Sequence, residues 1–190
     1  MKKIILASGS PRRRELLKHA GLDFEVHPSG YEEVIDNDNF TPEKIENLAY
    51  NKALDVAKEY DEGIIIGADT VVVLNNKILT KPRDRADAYM MLKHLSGVPH
   101  TVVTGICIID KYTGKTKIQA VTTTVEFEKL TDDQINFYID NFKPFDKAGA
   151  YGIQEMPKAY IKSVSGSLEN VIGLSRRPSI FVGLGFSLKR

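Results

Sequence analysis

A single cysteine, Cys107, among 190 residues excludes an internal disulfide. It lies in the apolar run from Val102 to Ile109, where a thiol reads as a buried, inert side chain rather than a nucleophile. Net charge is equally scarce, because 26 lysines and arginines against 25 aspartates and glutamates leave only +1. So even a balance supplies no global field for nucleic acid or an anionic membrane, and any anion site must be built locally. No apolar run reaches the length of a membrane span, and the stretch after Lys2 and Lys3 is too short for a signal peptide. A cytoplasmic enzyme or binding protein is therefore expected. There is no G-x-S-x-G nucleophile, no Walker or Rossmann glycine fingerprint, and no metal-ligand spacing among His19, His27, His94 and His100. Covalent nucleophilic catalysis is disfavoured.

What is present is an ordinary globular composition, 42% apolar and 27% charged, at a length suited to one domain over 1–190, with one lobe or two. Helical and strand periods alternate, which predicts α/β. Ile4 to Leu6 read as a buried strand. Pro11 opens a helix that runs to His19, with Gly21 beyond its end. A strand is expected near Phe24 to His27. A polar stretch with Glu32, Glu33, Asp36 and Asp38 then leads to a helix with Thr41 as N-cap and Pro42 at its first position. Gly63 to Leu74 reads as a strand returned by an Asn75-Asn76 turn. Asp84 to Leu95 reads as a helix, and His100 to Ile109 with Lys117 to Glu128 as a long hairpin turned at Tyr112-Thr113-Gly114. Thr131 and Gln134 have the spacing of a capping box for a helix to Asn141. A glycine-bearing loop over Ala148 to Gln154, a strand near Ala159 to Val164 and a helix near Pro178 to Leu188 complete the expectation.

Three places break these patterns. Ala7-Ser8-Gly9-Ser10-Pro11-Arg12-Arg13 joins a strand to a helix through small residues, a proline and arginines. The first amides of a helix lack internal partners and carry the positive end of its dipole, so an anion there is held by several donors at once. Ser8 and Ser10 keep that approach open, and Arg12 and Arg13 add forked, permanently charged donors. Lys52 falls on the apolar stripe of its helix, where it either snorkels to water or aims into a cleft. Asp69 and Thr70 interrupt a strand of isoleucines and valines; an acid there must be paired, metal-bound or open to a cleft, since burial alone is costly. Lys81, just after the hairpin, is either a surface charge or another cation returned beside Asp69. Cations (Arg12, Arg13, Lys52, Lys81), acids (Glu33, Asp69) and small polar groups (Ser8, Ser10, Thr70) together suit metal-assisted attack of water on a phosphoanhydride.

At these residues the chain resembles the Maf family of nucleoside triphosphate pyrophosphatases. The matching segments, spread over nearly the whole length, are Ala7 to Arg13, Glu32-Glu33, Lys52, Gly67-Ala68-Asp69-Thr70-Val71, Lys81-Pro82-Arg83 and Asp146 to Gln154. The resemblance implies an elongated mixed sheet flanked by helices, a cleft between two lobes as in the inosine triphosphatase group, and a homodimer. It implies a divalent cation, Mg²⁺ with Mn²⁺ or Co²⁺ as alternatives, held by Glu33 and by Asp69 where the latter is not solely the general base. It further implies hydrolysis of a nucleoside triphosphate to monophosphate and pyrophosphate. Arginine, threonine, lysine and glutamine at Arg12 or Arg13, Thr70, Lys81 and Gln154 go with dTTP and UTP in that family. A glutamine amide offers the donor and acceptor that match N3–H and O4 of thymine or uracil. Two departures stand out: Glu155 where the family usually has glycine, and Gly173-Leu174-Ser175-Arg176-Arg177 in place of a G-L-P run. The competing expectations are a nucleotide-binding regulator of septum formation and an inosine or xanthosine triphosphatase of the same fold.

Overall fold

The computed structural model describes residues 2–175. The elements run β1 (Ile4–Leu6), α1 (Pro11–His19), β2 (Glu25–Val26), α2 (Pro42–Ala57), β3 (Ile64–Leu74), β4 (Lys77–Leu79), α3 (Arg85–Leu95), β5 (His100–Asp110), β6 (Lys115–Phe127), α4 (Asp132–Phe142), β7 (Ile161–Ser165) and α5 (Leu168–Ile172). The strands form one mixed sheet in the order β2-β1-β3-β5-β6-β7, with β4 paired to β3. β1 runs parallel to β2 and β3, whereas β3, β5, β6 and β7 are joined antiparallel. Leu16 and Leu17 of α1 pack on Ile64, Ile66, Ile106 and Ile108 on one face of the sheet. Ala49, Ala53 and Val56 of α2 cover Ile65 and Cys107 on the other. Burial pushes the Cys107 thiol up to about 12, as an inert core cysteine requires.

Local chemistry accounts for most of these boundaries. The Asp84 carboxylate accepts from the Asp87 amide at 2.8 Å to start α3. Thr131 and Gln134 make the reciprocal capping box of α4, at 3.2 and 2.8 Å. Asn75 and Asn76 both take positive φ, 50° and 64°, in the turn between β3 and β4. α2 departs from expectation in one detail, because Thr41 stands at its N-cap without a side-chain cap bond. Pro42 compensates, since it has no N–H to leave unpaired. The strand expected from Ala159 begins only at Ile161, after a turn of 3-10 helix over Lys158–Tyr160. α5, capped by Ser167 on the Asn170 amide, was not expected. The helix expected near Pro178 to Leu188, and Arg176-Arg177, lie outside the described residues.

His100, at the start of β5, is 2% exposed and packs edge-on to Phe127 and Tyr151. Nδ1 faces the Val98 carbonyl at 3.2 Å, which can only accept, so Nδ1 carries the proton and Nε2 accepts from the Tyr151 hydroxyl at 2.8 Å. Burial lowers the imidazole from 6.5 to about 4. Between those values the unfolded chain binds a proton that the folded chain does not, so stability falls as the pH drops from 6.5 toward 4. At about 1.4 kcal/mol per unit, the loss amounts to roughly 3 kcal/mol. Urea unfolding of the wild type and His100→Gln across this range should show that component of the slope only in the wild type.

Candidate active site

β1 ends with Leu6 opposite Ile66, and β4 ends with Leu79 opposite Val72. Between them, residues 67–71 present an edge of β3 that neither short strand covers. This gap underlies a cleft of about 540 Å³, within the usual range for small-molecule sites. Every candidate site residue lines it: Ser8, Ser10, Arg12, Arg13, Glu33, Lys52, Asp69, Thr70, Lys81 and Gln154.

Strand alternation sends Asp69 toward α2 and Thr70 to the opposite face. α2 lies unusually close, because Gly67 and Gly105 flank Asp69 with no side chains. A Cβ on Gly67 would stand 2.4 Å from the Ala49 carbonyl oxygen, and one on Gly105 2.3 Å from that of Ile45. This approach lets Lys52 of α2 reach Asp69 Oδ1 at 2.5 Å and Glu33 Oε1 at 2.6 Å. The lysine side chain is 12% exposed, so it aims into the cleft and does not snorkel to bulk water. α2 also secures the loop carrying Glu33. Asp55 accepts from the Ser29 hydroxyl at 2.8 Å and the Gly30 amide at 2.9 Å, and Asn51 donates to the Tyr31 hydroxyl at 3.2 Å. Burial pushes the Glu33 carboxyl up, but the hydrogen bond and charge of Lys52, with the charges of Lys81 and Arg13, hold it below its usual range.

On the other face Arg13 is buried and acts as a keystone. Nε donates to the Gly173 carbonyl at 2.9 Å, Nη1 to Ser8 Oγ at 2.9 Å and Nη2 to Thr70 Oγ1 at 3.0 Å. The Thr104 hydroxyl donates to the Asn170 carbonyl at 3.0 Å, so it must accept from Thr70 at 2.9 Å. One guanidinium thus ties the β1–α1 loop, β3 and the end of α5 together, and among the described residues two of its five N–H groups have no partner. Burial pulls Arg13 below its usual value, opposed by the negative charge of Asp69. Arg12, at the start of α1, pairs with Asp146 Oδ2 at 3.2 Å. Lys81 is exposed at the rim and Gln154 exposed on a turn. Glu32, neighbour of Glu33, is exposed and outside this lining.

The cleft therefore combines a helix N-terminus, the cations Arg12, Arg13, Lys52, Lys81 and Lys147, and two carboxylates in contact with one ammonium, a set that can hold a polyphosphate and activate water beside it. Sequence reasoning missed Asp55 and Asn51, which only a helix face facing the loop reveals, and Asn170. The signal for Asn170 was present in Ser167-Leu168-Glu169-Asn170, the pattern of a short capped helix. Fully buried Asn170 donates from Nδ2 to the Val102 carbonyl at 3.1 Å and Thr123 Oγ1 at 3.0 Å.

Comparison with known proteins matches residues 3–180 to the family model described as Maf-like protein. A protein of Ruminiclostridium cellulolyticum named dTTP/UTP pyrophosphatase is 46% identical over 175 residues, 92% of this chain and 91% of its own. Proteins of Alkaliphilus oremlandii and Acetivibrio thermocellus with the same name are 49% and 47% identical, again over 92% of this chain, and over 91% and 90% of their own lengths.

Proposed function

The chain belongs to the Maf-like protein family, and from that premise we propose that its cleft hydrolyses dTTP and UTP to the monophosphate and pyrophosphate. The observation that carries this reading is the Glu33–Lys52–Asp69 cluster on the open edge of β3, beside the N-terminus of α1. The α1 amides, Arg12 and Arg13 receive the triphosphate. Ser8 and Ser10 line its approach. Water attacks the α-phosphorus, the bond from that atom to the oxygen bridging to the β-phosphorus breaks, and pyrophosphate leaves. Asp69 Oδ1 is engaged by Lys52, so Oδ2 is the oxygen that orients the water and takes its proton. Lys52 and Lys81 offset the charge that develops around the α-phosphorus. Gln154 reads the pyrimidine edge.

Among the described residues no group of three or more His, Cys, Asp or Glu side chains is placed to hold a metal ion. Two carboxylates sharing one ammonium nevertheless fit a hard cation of the Mg²⁺ type, which takes one or two protein carboxylates and fills its shell with phosphate and water oxygens. Glu33 and Asp69 are the residues that would hold Mg²⁺, or Mn²⁺ or Co²⁺ in its place. Such a cation would neutralise phosphate charge and polarise the scissile group. A homodimer in the cytoplasm completes the proposal, supported by the family resemblance. No described helix is long and apolar enough to cross a membrane.

The test is a panel of nucleoside triphosphates with Mg²⁺ or Mn²⁺, scored separately for pyrophosphate and orthophosphate. Pyrophosphate from dTTP and UTP, abolished by excess chelator, is the expected result. Orthophosphate as the first product, undiminished turnover in chelator, or a preference for purine triphosphates would overturn it.

A further inference from the structure

Gln154 sits exposed on a turn whose neighbours are anchored. Ile153 and Met156 are buried, the Glu155 and Met156 amides both donate to the Gly152 carbonyl at 3.0 Å, and the Gly152 amide donates to the Tyr138 hydroxyl at 3.0 Å. Glu155 adds a charged anchor. Its Oε2 is buried, makes no hydrogen bond among the described residues and lies 3.0 Å from Lys147 Nζ as an ion pair, while Lys147 Nζ donates to Asp146 Oδ1 at 2.8 Å. The Lys147 side chain is only 8% exposed, and a buried ammonium needs compensation, so the two carboxylates hold it in place. The second oxygen of Asp146 is occupied by Arg12. The series Glu155–Lys147–Asp146–Arg12 thus runs from the turn of Gln154 to the start of α1, with charges that sum to zero.

We propose that Glu155 is a specificity-positioning residue, whose ion pair with Lys147 fixes the turn carrying Gln154 relative to the phosphate-side Arg12. This inference rests on the reading of Gln154 as the base-facing residue. Glu155 itself touches neither phosphate nor base. Its charge fixes Lys147, Lys147 fixes the turn, and the turn sets where the Gln154 amide can meet a pyrimidine. A group that must meet donor and acceptor atoms together tolerates little displacement.

The test compares purified full-length wild type, E155Q, E155D, Q154A and the E155Q/Q154A double variant. Each is assayed for kcat and KM with UTP and with GTP, for inhibition by inorganic tripolyphosphate, and for melting temperature. In E155Q the UTP-to-GTP ratio of kcat/KM should fall by about tenfold, short of the roughly hundredfold that a displaced positioning group can cost. KM for UTP should rise, tripolyphosphate should bind no more weakly, and E155D should recover part of the ratio. The double variant should be no less selective than Q154A alone, because both changes act on one contact. An unchanged ratio in E155Q, an equal loss on UTP and GTP, or a double variant less selective than Q154A would overturn the role of Glu155 while leaving the pyrophosphatase reading intact. A wild-type ratio in Q154A would overturn it as well, by removing the contact that Glu155 is held to position. A wild type with no turnover or no base preference would overturn both.

Discussion

Asp69→Asn should lower kcat for UTP by about a hundredfold to ten-thousandfold, the usual cost of losing general-base catalysis, while the protein remains folded. Asparagine keeps the size of the side chain and can still face Lys52, but cannot take a proton from water. Removing one partner of a buried ion pair typically costs about 3–5 kcal/mol when the other charge is left uncompensated. Here Glu33 still holds Lys52 at 2.6 Å, so the fall in melting temperature should be modest and the loss of rate large. A metal titration separates the two ways Asp69 can act. Partial recovery of kcat at high Mg²⁺ would mark it chiefly as a ligand, and no recovery would mark it as the base. Near-wild-type kcat with a much lower melting temperature would instead make Asp69 a structural ion-pair residue and remove it from the mechanism.

Gly105→Ala should damage stability and catalysis together, although Gly105 carries no chemistry. Its added Cβ would lie 2.3 Å from the Ile45 carbonyl oxygen, 2.7 Å from the carbonyl carbon and 3.0 Å from the Glu46 nitrogen. These are backbone atoms of α2 and cannot rotate aside, so the helix must move off the sheet. Overpacking of this kind costs about 1–3 kcal/mol, occasionally more. In a chain of this size that lowers the melting temperature by roughly 2–4 °C for each kcal/mol. Glu46, whose carboxylate accepts from the Ala120 amide at 2.9 Å, moves with the helix, and so does Lys52. Because Gly105 is the register partner of Asp69, the displacement opens where Lys52 meets Asp69, and kcat/KM should fall with stability. Thermal melts and UTP kinetics on the one variant check both effects. A melting temperature and kcat/KM equal to wild type would show that α2 does not need the close approach.

Much of this was legible in the chain because it is set by neighbours in sequence. Isoleucine and valine runs, the Asn75-Asn76 turn, Asp84 before α3 and the Thr131–Gln134 box act over a few residues, and each element formed where these signals stand. The misplaced polar groups were legible too: Asp69 amid isoleucines and Lys52 on an apolar stripe could not be buried without a partner, and each proved to be the other's. α5 went unseen because five residues scarcely register a helical period. Order along the chain accounts for the mixed α/β elements, the residue types gathered in the cleft and the need to compensate their charges. Packing sets how those groups meet. It left residues 67–71 uncovered by β1 and β4, both of which end beside that stretch, and brought α2 close through Gly67 and Gly105. It also committed three donors of Arg13 to Ser8, Thr70 and Gly173, and tied the Gln154 turn to Arg12 through Glu155, Lys147 and Asp146. These partners lie far apart along the chain, so only the packing of sheet and helices determines their distances.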